Sequence, residues 1–288
     1  MILKQIENHL MKSSRTLLFF FFMLCLVSAA FAQGVSVNKG IITGQLMIKG
    51  GAPLAGGQVF LFNDASGPPP SQVKYWRVPD YTTQIDEGGE FSIELPAGKY
   101  YLGAIKRISG EKIGPPVEGD YFFASADEKG SPKSYEVKNG EKIELGVISE
   151  AVPFQKRAVI PGAEITAIEG AVFNAEGKTV EGALVSAQLT PLSAGRHPLF
   201  TSERTGKDGH YILKVHDGGN YYLRVRSMHD KGPPAAGEMI GAYGGKEPLA
   251  VVIKKGQIIR GIDITVVQFM GRGAKKEQSP PSSGTQRR

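Results

Sequence analysis

An internal repeat constrains the fold of this chain more than any other feature of its sequence. The stretch ITGQLMIKGGAPLAGGQVFLF at 42–62 aligns with IEGAVFNAEGKTVEGALVSAQ at 168–188. Four matches within it share one offset of 126 positions: Gly44 with Gly170, Gly51 with Gly177, Gly56 with Gly182, and Val59 with Val185. Matches that keep their order at one offset indicate a tandem duplication, so about 120 residues must form the same domain twice.

The match continues through the rest of each copy. GGEFSIELPAGKYYLGA at 88–104 is repeated as DGHYILKVHDGGNYYLRV at 208–225, and VKNGEKIELGV at 137–147 as IKKGQIIRGID at 253–263. The offset shrinks along the chain, which places insertions and deletions in the loops between matching segments. Each copy is therefore one complete domain.

The residue pattern inside each copy is that of β-strands. Phe91, Ile93 and Leu95 alternate with polar residues, and YYLRVR at 221–226 places Tyr221, Leu223 and Val225 on one face. Gly, Pro, Asn and Asp turns separate these runs, and no segment has a sustained helical period. The sequence predicts an all-β protein in which each copy packs two sheets face to face. Tyr100 and Tyr221 begin inward-facing runs, so both are expected to be buried with hydrogen-bonded hydroxyls.

The order of these motifs resembles the carboxypeptidase regulatory-like domain. Matching positions in the first copy are Gly44, Pro53, Leu54, Val59, Gly89, Phe91, Leu95, Gly98 and Tyr100. Those in the second are Gly170, Val180, Val185, Gly209, Tyr211, Leu213, Gly219 and Tyr221, with Thr179 in place of the proline. The resemblance implies two tandem Greek-key β-sandwiches of the transthyretin-like or Ig-like kind. It also implies a non-catalytic role as scaffold, spacer or recognition module for protein or glycan.

The N-terminal segment is typical of a secretory signal peptide. Lys12 and Arg15 precede an apolar run from Leu17 to Val27, and Ala-Phe-Ala stands directly before Gln33. The run is shorter than the roughly 20 apolar residues of a spanning helix, so cleavage after Ala32 is expected and an uncleaved anchor is the alternative. Translation could begin at Met1 or at Met11.

Five segments follow from these observations. They are a signal peptide (1–32), a first sandwich (33–150), a linker (151–167), a second sandwich (168–269) and a disordered basic tail (270–288).

The net charge of +6 does not indicate nucleic-acid binding. Two of these charges belong to residues 1–32 and four to residues 270–288, so the body from 33 to 269 is neutral. A neutral body lacks the basic face that phosphate binding requires.

The sequence also argues against an enzyme. Cys25 is the single cysteine and lies in the leader, which excludes a disulfide, a thiolate metal site or a cysteine nucleophile in the exported chain. The common hydrolase, zinc-protease, phosphate-loop and dinucleotide motifs are absent. His197, His210, His216 and His229 all lie in the second copy, but none of their spacings places two imidazoles on one face of a strand. We therefore expect surface histidines, no metal and no cofactor.

Two features are candidate binding elements. The first is the loop at 68–83, the longest insertion of the first copy over the second, which carries Tyr75, Trp76, Arg77 and Tyr81. Aromatic residues beside an arginine are typical of surfaces that bind proteins or sugars, although Trp76 could instead fold back onto the sandwich. The second is the repeated Gly-Pro-Pro loop, Gly114-Pro115-Pro116…Gly119 and Gly232-Pro233-Pro234…Gly237, a stiff connection that is also explained by common ancestry.

These observations predict an exported, non-catalytic module that binds or spaces a protein partner in the periplasm, at the outer-membrane surface or outside the cell. A carbohydrate-binding module that uses the loop aromatics is the alternative.

Overall fold

The computed structural model describes residues 39–111, 113–156, 164–191, 197–227 and 233–271. The predicted signal peptide, the part of the tail after residue 271 and His229 lie outside these ranges. Among the described residues, no helix is long and apolar enough to cross a membrane.

The described residues form eighteen β-strands and no α-helix. Those of the first copy are β1 (Lys39–Ile48), β2 (Gln58–Asn63), β3 (Trp76–Arg77), β4 (Tyr81–Gln84), β5 (Glu90–Pro96), β6 (Gly98–Lys106), β7 (Tyr121–Ala124), β8 (Ser134–Val137) and β9 (Lys142–Pro153). Those of the second are β10 (Thr166–Phe173), β11 (Leu184–Gln188), β12 (Phe200–Arg204), β13 (His210–Val215), β14 (Gly219–Arg226), β15 (Met239–Ala242), β16 (Ala250–Ile253), β17 (Ile258–Ile259) and β18 (Ile264–Gln268). The all-β prediction is confirmed.

The first copy folds into two packed layers. Strand β1 pairs antiparallel with β5 and parallel with β9. In the other layer, β2 pairs with β4 and β6, and β6 pairs in turn with β7 and β8. Strand β9 belongs to both layers, because its last residues, Val152 and Pro153, pair with β7. This arrangement closes a β-sandwich.

The second copy repeats this topology, with β17 and β18 together in the place of β9. Strand β10 pairs antiparallel with β13 and parallel with β17 and β18. Strand β11 pairs with β12 and β14, and β14 pairs with β15 and β16. The pairing of β15 with β18 closes this sandwich as β7 and β9 close the first. The structure therefore has the tandem sandwiches that the repeat predicts, with β3 as an extra strand.

Each sandwich has its own hydrophobic core. One buried cluster is drawn from residues between Ile42 and Ala151. The other is drawn from residues between Ile168 and Val266, with the single addition of Tyr75 from the first copy. Strand β9 runs to Pro153 and β10 begins at Thr166, so strands enter both ends of the predicted 151–167 linker.

The two tyrosines that were expected to be buried hold equivalent places in these cores. Tyr100 is 0% exposed and Tyr221 is 2% exposed. Tyr100 donates a hydroxyl hydrogen bond of 2.9 Å to the carbonyl oxygen of Pro96, and Tyr221 donates one of 2.9 Å to that of Asp217. Each bond spans four residues and fastens the turn of a hairpin to its own core, which confirms the expectation.

A glycine that begins each hairpin motif also has an equivalent role. Gly89 and Gly209 have φ angles of +84° and +70°. A Cβ at Gly89 would lie 2.6 Å from the carbonyl oxygen of Leu46, and one at Gly209 would lie 2.7 Å from that of Val172. Only glycine fits such a close approach at a positive φ, so the backbone conformation of the turn requires glycine at this position of the motif.

Candidate functional site: the cleft between the sandwiches

The aromatic loop of the first copy supplies a strand to the second sandwich. In β3, Trp76 is paired with Thr201 and Arg77 with Phe200 on the edge strand β12. The backbone N–H of Val78 donates a further hydrogen bond of 2.9 Å to the carbonyl oxygen of Leu199. An edge strand presents unpaired backbone groups, and here a segment from the same chain covers them.

Tyr75 extends this attachment into the core of the second sandwich. Its side chain is 5% exposed and makes edge-to-face contacts with Phe200 at 5.4 Å and His216 at 5.3 Å between ring centroids. Its hydroxyl donates to the carbonyl oxygen of Pro69 at 2.8 Å, and burial raises the pKa of Tyr75 to about 12. Tyr75 is therefore a core residue of a domain to which it does not belong in sequence.

Arg77 holds the inserted loop in shape. Its side chain is 0% exposed and forms an ion pair of 2.8 Å with Asp80. Its guanidinium also donates to the backbone carbonyls of Gly67, Pro68 and Asn63 and lies over the ring of Phe62. Burial lowers the pKa of Arg77, although Asp80 favours its charged form. The buried guanidinium thus connects the two ends of the loop through its hydrogen bonds.

The two other aromatic residues of the loop are half-buried. Trp76 makes edge-to-face contacts with Phe122 and Phe154, at centroid distances of 6.4 and 5.9 Å. Tyr81 packs in the same way against Tyr100 at 5.9 Å.

The structure places the four candidate residues in different surroundings, and their role in binding stays a prediction. Tyr75 and Arg77 are not part of an exposed contact patch, because core packing and backbone carbonyls occupy their side chains. Trp76 has the folded-back position that the sequence left open as an alternative.

Polar contacts also join the two sandwiches. Arg204 of β12 forms an ion pair of 2.6 Å with Glu111 and donates to the carbonyl oxygen of Ile113 at 3.3 Å. Lys156 and Glu203 form a second pair at 2.5 Å. Together with β3, these contacts fix one sandwich against the other.

A buried carboxylate closes the Gly-Pro-Pro loop of the first copy. Asp120 is fully buried and accepts hydrogen bonds from the backbone N–H groups of Ile108, Ser109 and Val117. Its other neighbour is Arg107, which lies 3.6 Å away and donates to the carbonyl oxygen of Gly114 at 2.5 Å. Burial would raise the pKa of Asp120, but the three backbone donors outweigh it and lower that pKa.

The second copy has the corresponding pair, with glutamate in place of aspartate. Glu238 is buried and forms a two-point ion pair with Arg226, with distances of 2.6 and 2.7 Å. It also accepts the backbone N–H of Ala235. Both copies therefore have an arginine–carboxylate pair beside the described part of this loop, which supports a structural role for the pair.

The low pKa of Asp120 predicts sensitivity to acid. A carboxyl whose pKa is lower in the folded state stabilises the fold above its ordinary pKa, and this contribution is lost as the pH falls through the folded value. We expect Asp120→Asn to lower the free energy of unfolding by about 1–3 kcal/mol at neutral pH, because one acceptor oxygen is lost from a buried site. The stability of the variant should also fall less steeply than that of the wild type below about pH 4. Urea denaturation at a series of pH values measures both effects. The exposed neighbour variant Glu118→Gln is the control, and equal behaviour of the two variants would contradict the prediction.

The attached sandwiches enclose a cleft of about 1120 Å³. One wall is the outer face of the β2–β6–β7 sheet, with Phe60, Phe62 and Phe122. The facing wall is the outer face of the β11–β14 sheet, with Tyr222 and Arg224. The β3 loop up to Asp80 and the first Gly-Pro-Pro loop lie between the walls, whereas Tyr81 and the described residues of the second Gly-Pro-Pro loop are outside the lining.

The cleft residues of the second wall were not selected from the sequence as candidates. A signal for them exists, since YYLRVR at 221–226 alternates and Tyr222 and Arg224 occupy its outward positions. What the sequence does not contain is the neighbouring sandwich that converts this outward face into a wall.

The histidines do not gather into a metal site in the part of the chain that the structure describes. No group of three or more His, Cys, Asp or Glu side chains there could hold a metal ion. His197 and His216 line the cleft, and His210 is exposed on β13.

Comparisons with known proteins do not assign the chain to a family. Neither a family model nor a curated protein matches the chain, so the resemblance to carboxypeptidase regulatory-like domains stays a prediction. The Bacillus anthracis TIE protein is 17% identical, with a TM-score of 0.24, over 80% of this chain and 34% of its own. This chain therefore spans about a third of that structure.

Two pilins are also similar over most of this chain. GBS52, the minor pilin of Streptococcus agalactiae, is 13% identical over 82% of this chain and 99% of its own, with a TM-score of 0.25. The shaft pilin spaA of Lactobacillus rhamnosus GG is 12% identical over 81% and 98%, with a TM-score of 0.20. TM-scores of this size carry no functional assignment for this chain.

Proposed function

We propose that the chain is an exported, non-catalytic module that binds a protein partner in the cell envelope through the cleft between its sandwiches. The observation that carries the proposal is the insertion of β3 and Tyr75 into the second sandwich. This insertion fixes two sheet faces opposite one another, so the cleft is formed by the fold itself. A preformed site avoids the ordering cost that a flexible pair of domains meets on binding.

The composition of the walls supports a protein partner. Phe122 and Trp76 are half-buried in the cleft, and Arg224 is exposed beside Tyr222. Aromatic residues and arginine are the side chains that most often dominate binding energy between proteins. The rigid attachment also supports a spacing role, because both sandwiches would move as one body.

A site-specific cross-link tests the proposal. Tyr222 is replaced by the photoreactive analogue benzoylphenylalanine in the exported chain. The intact mass of that chain should correspond to a protein that begins at Gln33. Light should then join this position to one envelope protein. The control places the same analogue at Val252, an exposed residue of β16 outside the cleft. Equal cross-linking from both positions, or none from Tyr222, would refute the proposal.

Carbohydrate binding through Tyr75, Trp76, Arg77 and Tyr81 is less favoured by the geometry, since Tyr75 and Arg77 are buried. It is kept as an outcome of a glycan-array experiment. Retention of a glycan by the wild-type chain, lost on Tyr81→Ala without loss of folding, would replace the proposal of a protein partner.

A further inference from the structure

The charges that line the cleft are unbalanced. Its described lining contains five basic side chains apart from histidine: Lys74, Arg77, Arg107, Arg224 and Arg226. The same lining contains a single carboxylate, that of Asp80.

Three of the arginines already have carboxylate partners. Arg77 is paired with Asp80 at 2.8 Å, and Arg107 lies 3.6 Å from Asp120. Arg226 is paired with Glu238 at 2.6 Å. These pairs belong to the loops that shape the cleft, so they are committed to structure.

Arg224 and Lys74 remain. Both are exposed, and neither side chain forms a hydrogen bond or an ion pair with another described residue. Arg224 lies on the outward face of β14, where it is paired with Ser186 of β11 and with Ala242 of β15. The guanidinium of Arg224 offers paired N–H donors that match the geometry of a carboxylate.

We infer that the cleft binds an extended acidic peptide segment of the partner, with a carboxylate of the peptide on Arg224. The inference rests on the proposed function and names the class of partner. Apolar side chains of the peptide would lie against Phe60 and Phe122. The volume of about 1120 Å³ exceeds the roughly 300–1,000 Å³ of small-molecule pockets, which suits a peptide. The chain's own segment at 272–288 is basic and does not complement the cleft.

The single carboxylate and one of the three glutamine amides in the described lining are already engaged, which makes a polysaccharide less favoured than a peptide. Sugar hydroxyls are usually held by free carboxylates and amides. Asp80 already accepts hydrogen bonds from Arg77 and from the N–H of Asn63. The amide of Gln188 already donates to the carbonyl oxygens of Thr190 and Pro191.

Peptide selection tests the inference. A phage library of random peptides is selected on the wild-type chain, and the enriched sequences are synthesised with matched versions in which each Glu or Asp is replaced by its amide. Fluorescence anisotropy then gives Kd for the wild type, Arg224→Gln and Lys254→Gln. Lys254 is exposed, lies outside the cleft and loses the same charge.

Acidic residues should be enriched among the selected peptides, and Arg224→Gln should raise their Kd by about tenfold or more. Lys254→Gln should leave the Kd unchanged. Selected peptides without acidic residues, or equal affinity in wild type and Arg224→Gln, would overturn the inference. The inference would also be overturned if the acidic polysaccharide alginate bound in an Arg224-dependent way while the peptides did not bind. A cross-link from Tyr222 to an envelope protein that survives Arg224→Gln would leave the proposed function standing and remove only the acidic-peptide assignment.

Discussion

Replacing Tyr75 by alanine is expected to destabilise the second sandwich, although the residue belongs to the first copy. Truncation of a buried aromatic side chain lowers the free energy of unfolding by about 3–5 kcal/mol. Tyr75 is in the core with Phe200 and Tyr221 and is 5% exposed, so we expect a loss of free energy of unfolding within this range. Chemical denaturation of the whole chain measures the loss.

Hydrogen exchange locates this effect. In Tyr75→Ala, the amides of β12 at Phe200–Arg204 should exchange faster, because the adjoining strand β3 is no longer anchored. Tyr75→Phe is the matched control, since it removes only the 2.8 Å hydrogen bond to Pro69 and should cost about 1 kcal/mol. If Tyr75→Ala left β12 protected and the unfolding midpoint unchanged, the inserted strand would not be part of the second sandwich.

The local rules of sequence succeed where contacts are near in the chain. The hairpin from Glu90 to Lys106 was predictable because alternation, a glycine turn and an inward tyrosine are all within one short segment. The duplication made the prediction firmer, since the same signals return at 210–226. The topology of each sandwich then follows from few alternatives.

The same rules fail for the inserted loop, and the reason is physical. Trp76 is paired with Thr201, a partner more than a hundred positions away that no local pattern can indicate. The run VKYWRV at 73–78 does have strand character, with β-branched and aromatic residues between the prolines at 70 and 79. Its strand partner and the core that accepts Tyr75 exist only once both sandwiches are folded. The cleft could not be predicted from the sequence for the same reason.

The equivalent tyrosines of the two cores give the second large expected effect. Tyr100→Ala and Tyr221→Ala should each lower the free energy of unfolding by about 3–5 kcal/mol, because each removes a fully buried ring. Phenylalanine at either position keeps the ring and loses one hydroxyl hydrogen bond of 2.9 Å, so about 1 kcal/mol is expected. Chemical denaturation of the four variants separates packing from hydrogen bonding.

The dependence of the free energy of unfolding on alkaline pH reports on the tyrosine hydroxyls separately from ring packing. Burial raises the pKa of Tyr221 from 10.0 to about 12, and burial together with Tyr81 raises that of Tyr100 to about 12. A tyrosine with a raised folded pKa stabilises the fold below its unfolded value, and this contribution is lost as the pH rises from about 10 toward 12. Each phenylalanine variant should therefore lose less stability over that range than the wild type. If Tyr100→Phe and Tyr221→Phe lost as much as the wild type, the hydroxyls would be ionising freely in the folded chain, and the two tyrosines would not close their hairpins from inside the cores.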